Sequence, residues 1–256
     1  MNPSQRIEPD PRGVSREIVT TWAICFLGIG LAKLISLVEP TGLLSANLAG
    51  VAAVLFVVLP ERRIHARGER WSAYGMPWWG LLSRRTWESW LGGLVAALAV
   101  CGVVFPLFFV IFFAYARMLP HLPVWLATHV APYALPHRAH VKLPPQFALR
   151  CVVQLLAVAL PEELFYRGFM QTRWAASDPG RKVRVLGASL GRGFLQTQLL
   201  FAAGHLVVLQ VWRLATFFPG LLFGWLRERT GNLAAPVIVH ALSNLFIATL
   251  EATFYG

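Results

Sequence analysis

The polar positions of this chain fall in clusters, and the gaps between clusters have the length of membrane helices. Between Glu39 and Glu61 lie 21 residues without Asp, Glu, Lys or Arg; between Glu88 and Arg117 lie 28, between Arg192 and Arg213 lie 20, and between Arg229 and Glu251 lie 21. A helix rising 1.5 Å per residue needs roughly 20 residues to cross a hydrocarbon core of about 30 Å. Each gap is therefore a candidate span. A further apolar stretch over 18–38 carries Lys33 near its end, where the long side chain can reach outward. Another over 146–171 is interrupted by Glu162, Glu163 and Arg167, and a shorter one over 214–226 holds Gly220 and Gly224 in the GxxxG spacing that lets helices approach closely. The pattern predicts an all-α fold, a polytopic transmembrane helix bundle of about seven (six to eight) spans. Its parts are an N-terminal segment over 1–17, helices with interfacial and loop segments over 18–145, and a C-terminal bundle over 146–256.

Composition narrows the class. Hydrophobic residues make up 56% and charged residues 14%, against roughly 25% charged in soluble domains. That excludes an ordinary soluble or disordered chain, and three cysteines without a CxxC exclude a disulfide scaffold. Cys25, Cys101 and Cys151 read as small apolar fillers. The formal charge of +11 would suggest nucleic acid in a soluble protein. Here its distribution says otherwise. With the N-terminus inside, segments 1–17, 61–88, 171–192 and 227–229 carry sixteen Lys and Arg, against four in the outer segments. Such asymmetry is a topology signal, so a cytoplasmic N-terminus is expected and nucleic acid is not.

Segment 61–88, with Trp71, Tyr74, Trp78, Trp79 and Trp87 among arginines, reads as interfacial. Six prolines over 117–145 forbid one continuous helix there, and the spacing of His121, His129, His137 and His140 matches no compact ligand set.

Ionisable groups inside a bilayer cost about 2.5–3.5 kcal/mol each on insertion scales, so each needs a reason. Three places qualify: Glu162, Glu163 and Arg167; His205, four residues after Phe201; and His240 with Asn244. Glu163 and Arg167 are four apart on one helical face and can pair, which leaves Glu162 as the unpaired carboxylate. His240 and Asn244 share the same spacing. At 1.5 Å per residue from the nearest cytoplasmic end, Glu162, His205 and His240 lie about 16, 18 and 15 Å deep. Three polar centres thus meet at one level. A carboxylate, two imidazoles and a carboxamide suit hydrolysis by an activated water: the carboxylate takes the proton, a nearby His holds the water, and neutral His and Asn donors stabilise the oxyanion. The competing reading is an interhelical hydrogen-bond network and nothing more.

Other chemistries find less support. No His is followed by Glu, so a HExxH zinc site is absent. Asp10 and Asp178 lie in polar segments, which argues against an aspartyl protease. Gly187, Ser189 and Gly191 match GxSxG, but that motif works at an elbow of an α/β sheet, so the match reads as chance. Ser243, three residues from His240, lacks any serine-protease context.

In these residues the chain resembles the CPBP (CAAX-protease and bacteriocin-processing, Abi) intramembrane proteases. The likeness covers roughly 146–250, with EExxxRG at Glu162, Glu163, Arg167 and Gly168, FxxxH at Phe201 and His205, and HxxxN at His240 and Asn244. The resemblance implies a membrane endopeptidase that cleaves near the C-terminus of a membrane-associated or lipidated protein. It implies that Glu162 activates water, His205 positions it, His240 and Asn244 form the oxyanion hole, and Glu163 and Arg167 give support. It favours no cofactor, with zinc on Glu162, His205 and His240 as the alternative. Removal of a C-terminal sorting or anchor segment, as in the myxosortase-like group, and residence in a bacterial inner membrane are the matching expectations. A non-catalytic immunity partner, binding protein or transporter is the other class the same polar cluster would serve.

Overall fold

The computed structural model describes residues 10–130, 140–178 and 180–255. Seven helical elements dominate it: α1 (Pro11–Ser36), α2 (Leu48–Ala66), α3 (Arg84–Met118), α4 (147–177), α5 (Arg192–Gly204), α6 (Phe217–Thr230) and α7 (Ala234–Phe254). Local chemistry sets several ends. Asp10 caps α1 by accepting from the amides of Arg12 and Gly13, both at 3.0 Å, and Pro11 fills the first helical position. Gly231, with φ of 72°, ends α6 in the left-handed region.

Among the described residues, three helices are long and apolar enough to cross a membrane unaided: Pro11–Ser36, Arg84–His121 and Ala234–Phe254. Their outward faces are apolar, with Leu27, Leu31, Leu91, Val95 and Val103 exposed. That is expected of surfaces meeting lipid. The expected count of about seven spans does not follow from length and hydropathy alone. The stretch 193–212, expected as one span, is not one helix. α5 stops at Gly204 after 13 residues, a 3₁₀ turn follows over His205–Val208, and Leu209 turns the chain with φ of 58°. Thirteen residues reach only about 20 Å.

The fold is all-α as expected, with one short two-stranded antiparallel hairpin set into it. β1 (Val183–Val185) pairs with β2 (Ala188–Leu190) across Leu186 and Gly187, both with positive φ. This accounts for the GxSxG match. Gly187 serves the turn, Ser189 faces solvent opposite Arg184, and Trp225 Nε1 donates to Val185 O at 3.0 Å to hold the hairpin on α6.

The four basic segments gather at one end of the bundle. Glu17 accepts from Arg67 and, at 3.1 Å, from Arg173. Arg67 also reaches Glu69 at 2.9 Å and the Tyr74 hydroxyl at 2.9 Å, while that hydroxyl donates to Glu69. Arg227 donates to Thr172 Oγ1 at 3.1 Å, and Leu233 N to Gly75 O at 2.9 Å. Burial opposes ionisation of Glu69, but the bonds from Tyr74 and Arg67 outweigh it and hold its carboxyl below the usual range. Burial and the Glu69 bond push Tyr74 up to about 12. Trp78, Trp79 and Trp87 stay exposed as the interfacial reading expects, yet Tyr74 is buried and Trp71 packs beside Gly168 of α4. That part of the segment is structural wall. His137 and the side chain of His129 lie outside the described residues. Cys25 and Cys101 are buried and unbridged, and Cys151 is half-buried.

α3 packs along α7, where Phe105 stacks on Phe246 at 4.3 Å between ring centres. Gly93 makes the approach feasible: a Cβ there would lie 2.4 Å from Ala234 Cβ and 2.9 Å from the Ala235 amide nitrogen. Gly93→Ala is expected to destabilise the detergent-solubilised protein by about 1–3 kcal/mol through overpacking, whereas Gly102→Ala, with open space around it, should be neutral or mildly stabilising. Thermal melts of the two variants check this.

Candidate active site

α4 departs from regular helix on either side of its acidic pair. Residues Gln154–Ala159 and Leu164–Gln171 form wide π-turns that flank Leu160–Glu163. Pro161 supplies a reason: its ring crowds the carbonyl four residues back and it has no amide hydrogen to give, so a wider turn relieves the clash. Pro161 thus stays inside a continuous helix.

The two glutamates part company here. Glu163 is fully buried. Its Oε1 receives Arg167 Nη1 at 3.0 Å and lies 2.8 Å from His240 Nδ1. Glu162 faces a cavity, and among the described residues no hydrogen bond reaches its Oε2; His240 Nε2 is 3.9 Å away. Glu163 and Arg167 form the expected ion pair, while Glu162 makes none with Arg167 and stands 3.9 Å from His240 Nε2. The bond from Glu163 to His240 adds a link between α4 and α7 that spacing within one helix cannot reveal.

Arg167 anchors a buried polar ladder. Its Nη2 donates to Gln198 Oε1 at 2.9 Å and to the Gly220 carbonyl at 3.1 Å, and the guanidinium lies 4.3 Å from the centre of the Phe201 ring. Gln198 Nε2 donates to Gln171 Oε1 at 3.2 Å; Gln171 Nε2 donates to the Gly224 carbonyl at 3.0 Å and to Glu228 Oε1 at 2.8 Å. The GxxxG glycines therefore do more than ease packing, since they expose two carbonyls to α4. A Cβ at Gly224 would fall 2.5 Å from Gln198 Nε2, and one at Gly220 3.3 Å from Arg167 Nη2. Gln154, Gln171 and Gln198 escaped the sequence reading, which sought charge and histidine. Their signal was present, as isolated carboxamides inside apolar stretches.

The remaining residues close on the same space. Glu162, His205, His240 and Asn244 all line one cavity of about 560 Å³. His205 Nδ1 lies 2.8 Å from the Phe201 carbonyl, which can only accept, so in the neutral ring Nδ1 carries the proton and Nε2 carries a lone pair. The Glu163 carboxylate imposes the same tautomer on neutral His240. Phe201 meets the His205 ring edge-on at 4.7 Å, and Phe223 stacks on His240 at 4.7 Å. Asn244 Nδ2 donates to Gln154 Oε1 at 2.9 Å, leaving one amide hydrogen for the cavity. Ser243 donates to the Val239 carbonyl of its own helix. Lone pairs on two Nε2 atoms are the form that ligates zinc. Yet among the described residues no three His, Cys, Asp or Glu side chains group closely enough to hold a metal ion, Glu162, His205 and His240 included. No step below is routed through one.

Removing one partner of a buried ion pair strands the other. Glu163→Gln and Arg167→Met are each expected to cost about 3–5 kcal/mol. Gln198→Leu should cost about 1–3 kcal/mol by leaving Arg167 and Gln171 short of a partner. Melting temperatures in detergent, with retention of folded protein on gel filtration, test this ranking.

Residues 144–246, the segment that holds the whole cavity constellation from Glu162 to Asn244, match the family described as Type II CAAX prenyl endopeptidase Rce1-like. No curated protein and no solved structure matches the chain. Its apolar helices and that match support an integral membrane protein whose segment 144–246 is similar to the CAAX-type intramembrane proteases.

Proposed function

We propose that the chain hydrolyses a peptide bond near the C-terminus of a membrane-associated or lipidated protein, removing a sorting or anchor segment, with Glu162 as general base. The observation that carries this is the contrast between the two adjacent carboxylates. Glu163 pairs through Oε1 with Arg167 and His240 and has no exposed surface, while Glu162 makes no ion pair with Arg167 and lines the cavity.

A water donating to both Glu162 Oε2 and His240 Nε2, which lie 3.9 Å apart, sits within hydrogen-bond reach of each. His205 Nε2 gives a further acceptor on the cavity wall. Glu162 takes one proton as the water oxygen bonds to the scissile carbonyl carbon. The same carboxyl then delivers that proton to the amide nitrogen as the carbon–nitrogen bond breaks, so acid and amine products balance the water consumed. The tautomer of His240 supports a change from the expected roles. A neutral ring bound to Glu163 through Nδ1 has no hydrogen on Nε2, so the oxyanion takes its hydrogen bond from Asn244 Nδ2. Glu163 and Arg167 serve by fixing the His240 ring and keeping positive charge away from Glu162.

A second reading has one observation in its favour. Both histidines point Nε2 lone pairs at the cavity with Nδ1 tied back, as zinc ligands do. Metal content of the purified protein, measured with its activity before and after chelation, separates the two.

Glu162→Gln is expected to lower cleavage by about 10²–10⁴-fold, and Asn244→Ala by about 10²–10³-fold, with insertion and folding intact. The decisive comparison is of C-terminal peptides from the membrane proteome of a deletion strain complemented with wild type or Glu162→Gln. Truncated C-termini that appear only with wild type would identify the substrate; full processing by Glu162→Gln would sink the proposal and favour a binding, immunity or transport role.

A further inference from the structure

We infer that the cavity is entered from the non-cytoplasmic side of the membrane, so that the chain cleaved is a translocated, apolar segment of an exported or membrane-anchored protein. This rests on the protease reading of the same site and adds the side of access and the substrate class.

The lining residues run from the middle of the bundle to the end away from the basic segments. α1 contributes Phe26, Ile29 and Lys33 from its second half, and α2 contributes its first turns from Leu48. α4 contributes Gln154 through Tyr166, before the charged turn at Arg173. α5 contributes only its last residue, Gly204, and the chain after it contributes His205, Trp212, Arg213 and Thr216. α7 contributes from His240 onward to Glu251. These helices alternate in direction, so the agreement among five of them fixes the opening at one end.

The other end is shut. Glu163, Arg167, Gln171 and Gln198 have no exposed surface, and they bind one another and the carbonyls of Gly220 and Gly224. Below them Tyr74, Phe169 and Trp174 pack as one apolar cluster. Beyond that cluster lie Glu17, Arg67, Arg173 and the other basic segments. An excess of Lys and Arg marks the cytoplasmic side, so the sealed end faces the cytoplasm and the open end faces away from it. Lys33 and Arg213 do not reverse this asymmetry: Lys33 Nζ donates to Val207 O at 3.0 Å, and Arg213 Nε to Gln210 Oε1 at 2.6 Å, as local ties at the rim. The walls beneath the rim, Phe26, Ile29, Ala52, Phe56 and Val158, are apolar and suit a segment with uncharged side chains.

Single cysteines test the side of access without depending on activity. Thr216→Cys lines the cavity and Leu209→Cys is exposed beside it, while Leu186→Cys is exposed on the hairpin at the basic end. Each is placed in a background with Cys25, Cys101 and Cys151 replaced, with and without Glu162→Gln. A charged, membrane-impermeant maleimide should modify Thr216→Cys and Leu209→Cys at least tenfold faster in sealed right-side-out vesicles than in inside-out ones, with the reverse for Leu186→Cys. Labelling of 216 and 209 from the cytoplasmic side, labelling of all three from one side, or no labelling of 216 and 209 from either side would overturn the inference. In a parallel measurement, one apolar segment is fused so that its cleavable flank lies outside in one reporter and inside in the other. Wild type should cut only the first. Cleavage of only the inside reporter overturns the side of access, while failure to cut either counts against the protease reading and leaves the maleimide result to judge the access side.

Discussion

Arg167 carries a charge into the interior of a bundle that is itself surrounded by lipid, and much of the C-terminal half is arranged to tolerate it. Removing such an ion from water costs several kcal/mol even after relaxation, which only good geometry and further hydrogen bonds can offset. Here the offset comes from three helices and one ring. Glu163 of α4, Gln198 of α5 and the Gly220 carbonyl of α6 accept from the guanidinium, and Phe201 covers its face. Each acceptor makes its own demand. Gln198 must be satisfied in turn by Gln171 and the Phe194 carbonyl, and the carbonyls of α6 come within reach only because Gly220 and Gly224 lack side chains.

The same arrangement explains how two adjacent carboxylates acquire different properties. Glu163 spends its charge on Arg167 and on orienting His240. Glu162, one residue earlier and so rotated by about 100° around the helix, makes no hydrogen bond to the guanidinium and lines the cavity. A single glutamate could not do both, because a carboxylate tied into the buried ion pair is not available to the cavity. The charge in the floor and the carboxylate in the cavity are two consequences of one doubled residue.

Much of this was legible in the chain. Charge-free gaps marked where helices run, the lysine and arginine distribution grouped the four basic segments that Glu17, Arg67, Arg173 and Arg227 do bring to one end, and helical spacing separated Glu162 from Glu163. Counting depth along three helices put Glu162, His205 and His240 at one level, and the three do line one cavity. Other features depend on contacts between distant residues and leave little local trace. Nothing in the apolar run 193–212 announces that α5 ends at Gly204, or that the chain there packs so tightly that a Cβ would lie 2.3 Å from Phe26 and 2.8 Å from the Tyr166 hydroxyl. The link from Glu163 to His240 spans 77 residues. The glutamines were overlooked because hydropathy reading treats a lone carboxamide as noise, although its burial cost is what forces it to find partners.

The early end of α5 is the step that turns a packed bundle into one with a chamber. Had the helix continued in regular form from Gly204 through the stretch to Arg213, its side chains would fill the space between α1 and α7 that the cavity now occupies. Ending it leaves His205 on the first residue of a 3₁₀ turn, with Nδ1 held by the Phe201 carbonyl one turn back and its other nitrogen turned to the open space. The chain then bends at Leu209, and Trp212, Arg213 and Thr216 return as a rim. A membrane protein can leave backbone irregular at this depth only where protein or water, rather than lipid, meets the freed groups. The irregular stretch and the cavity therefore require each other. The rigid ladder beneath Arg167 is what allows the structure above it to be interrupted without losing its register.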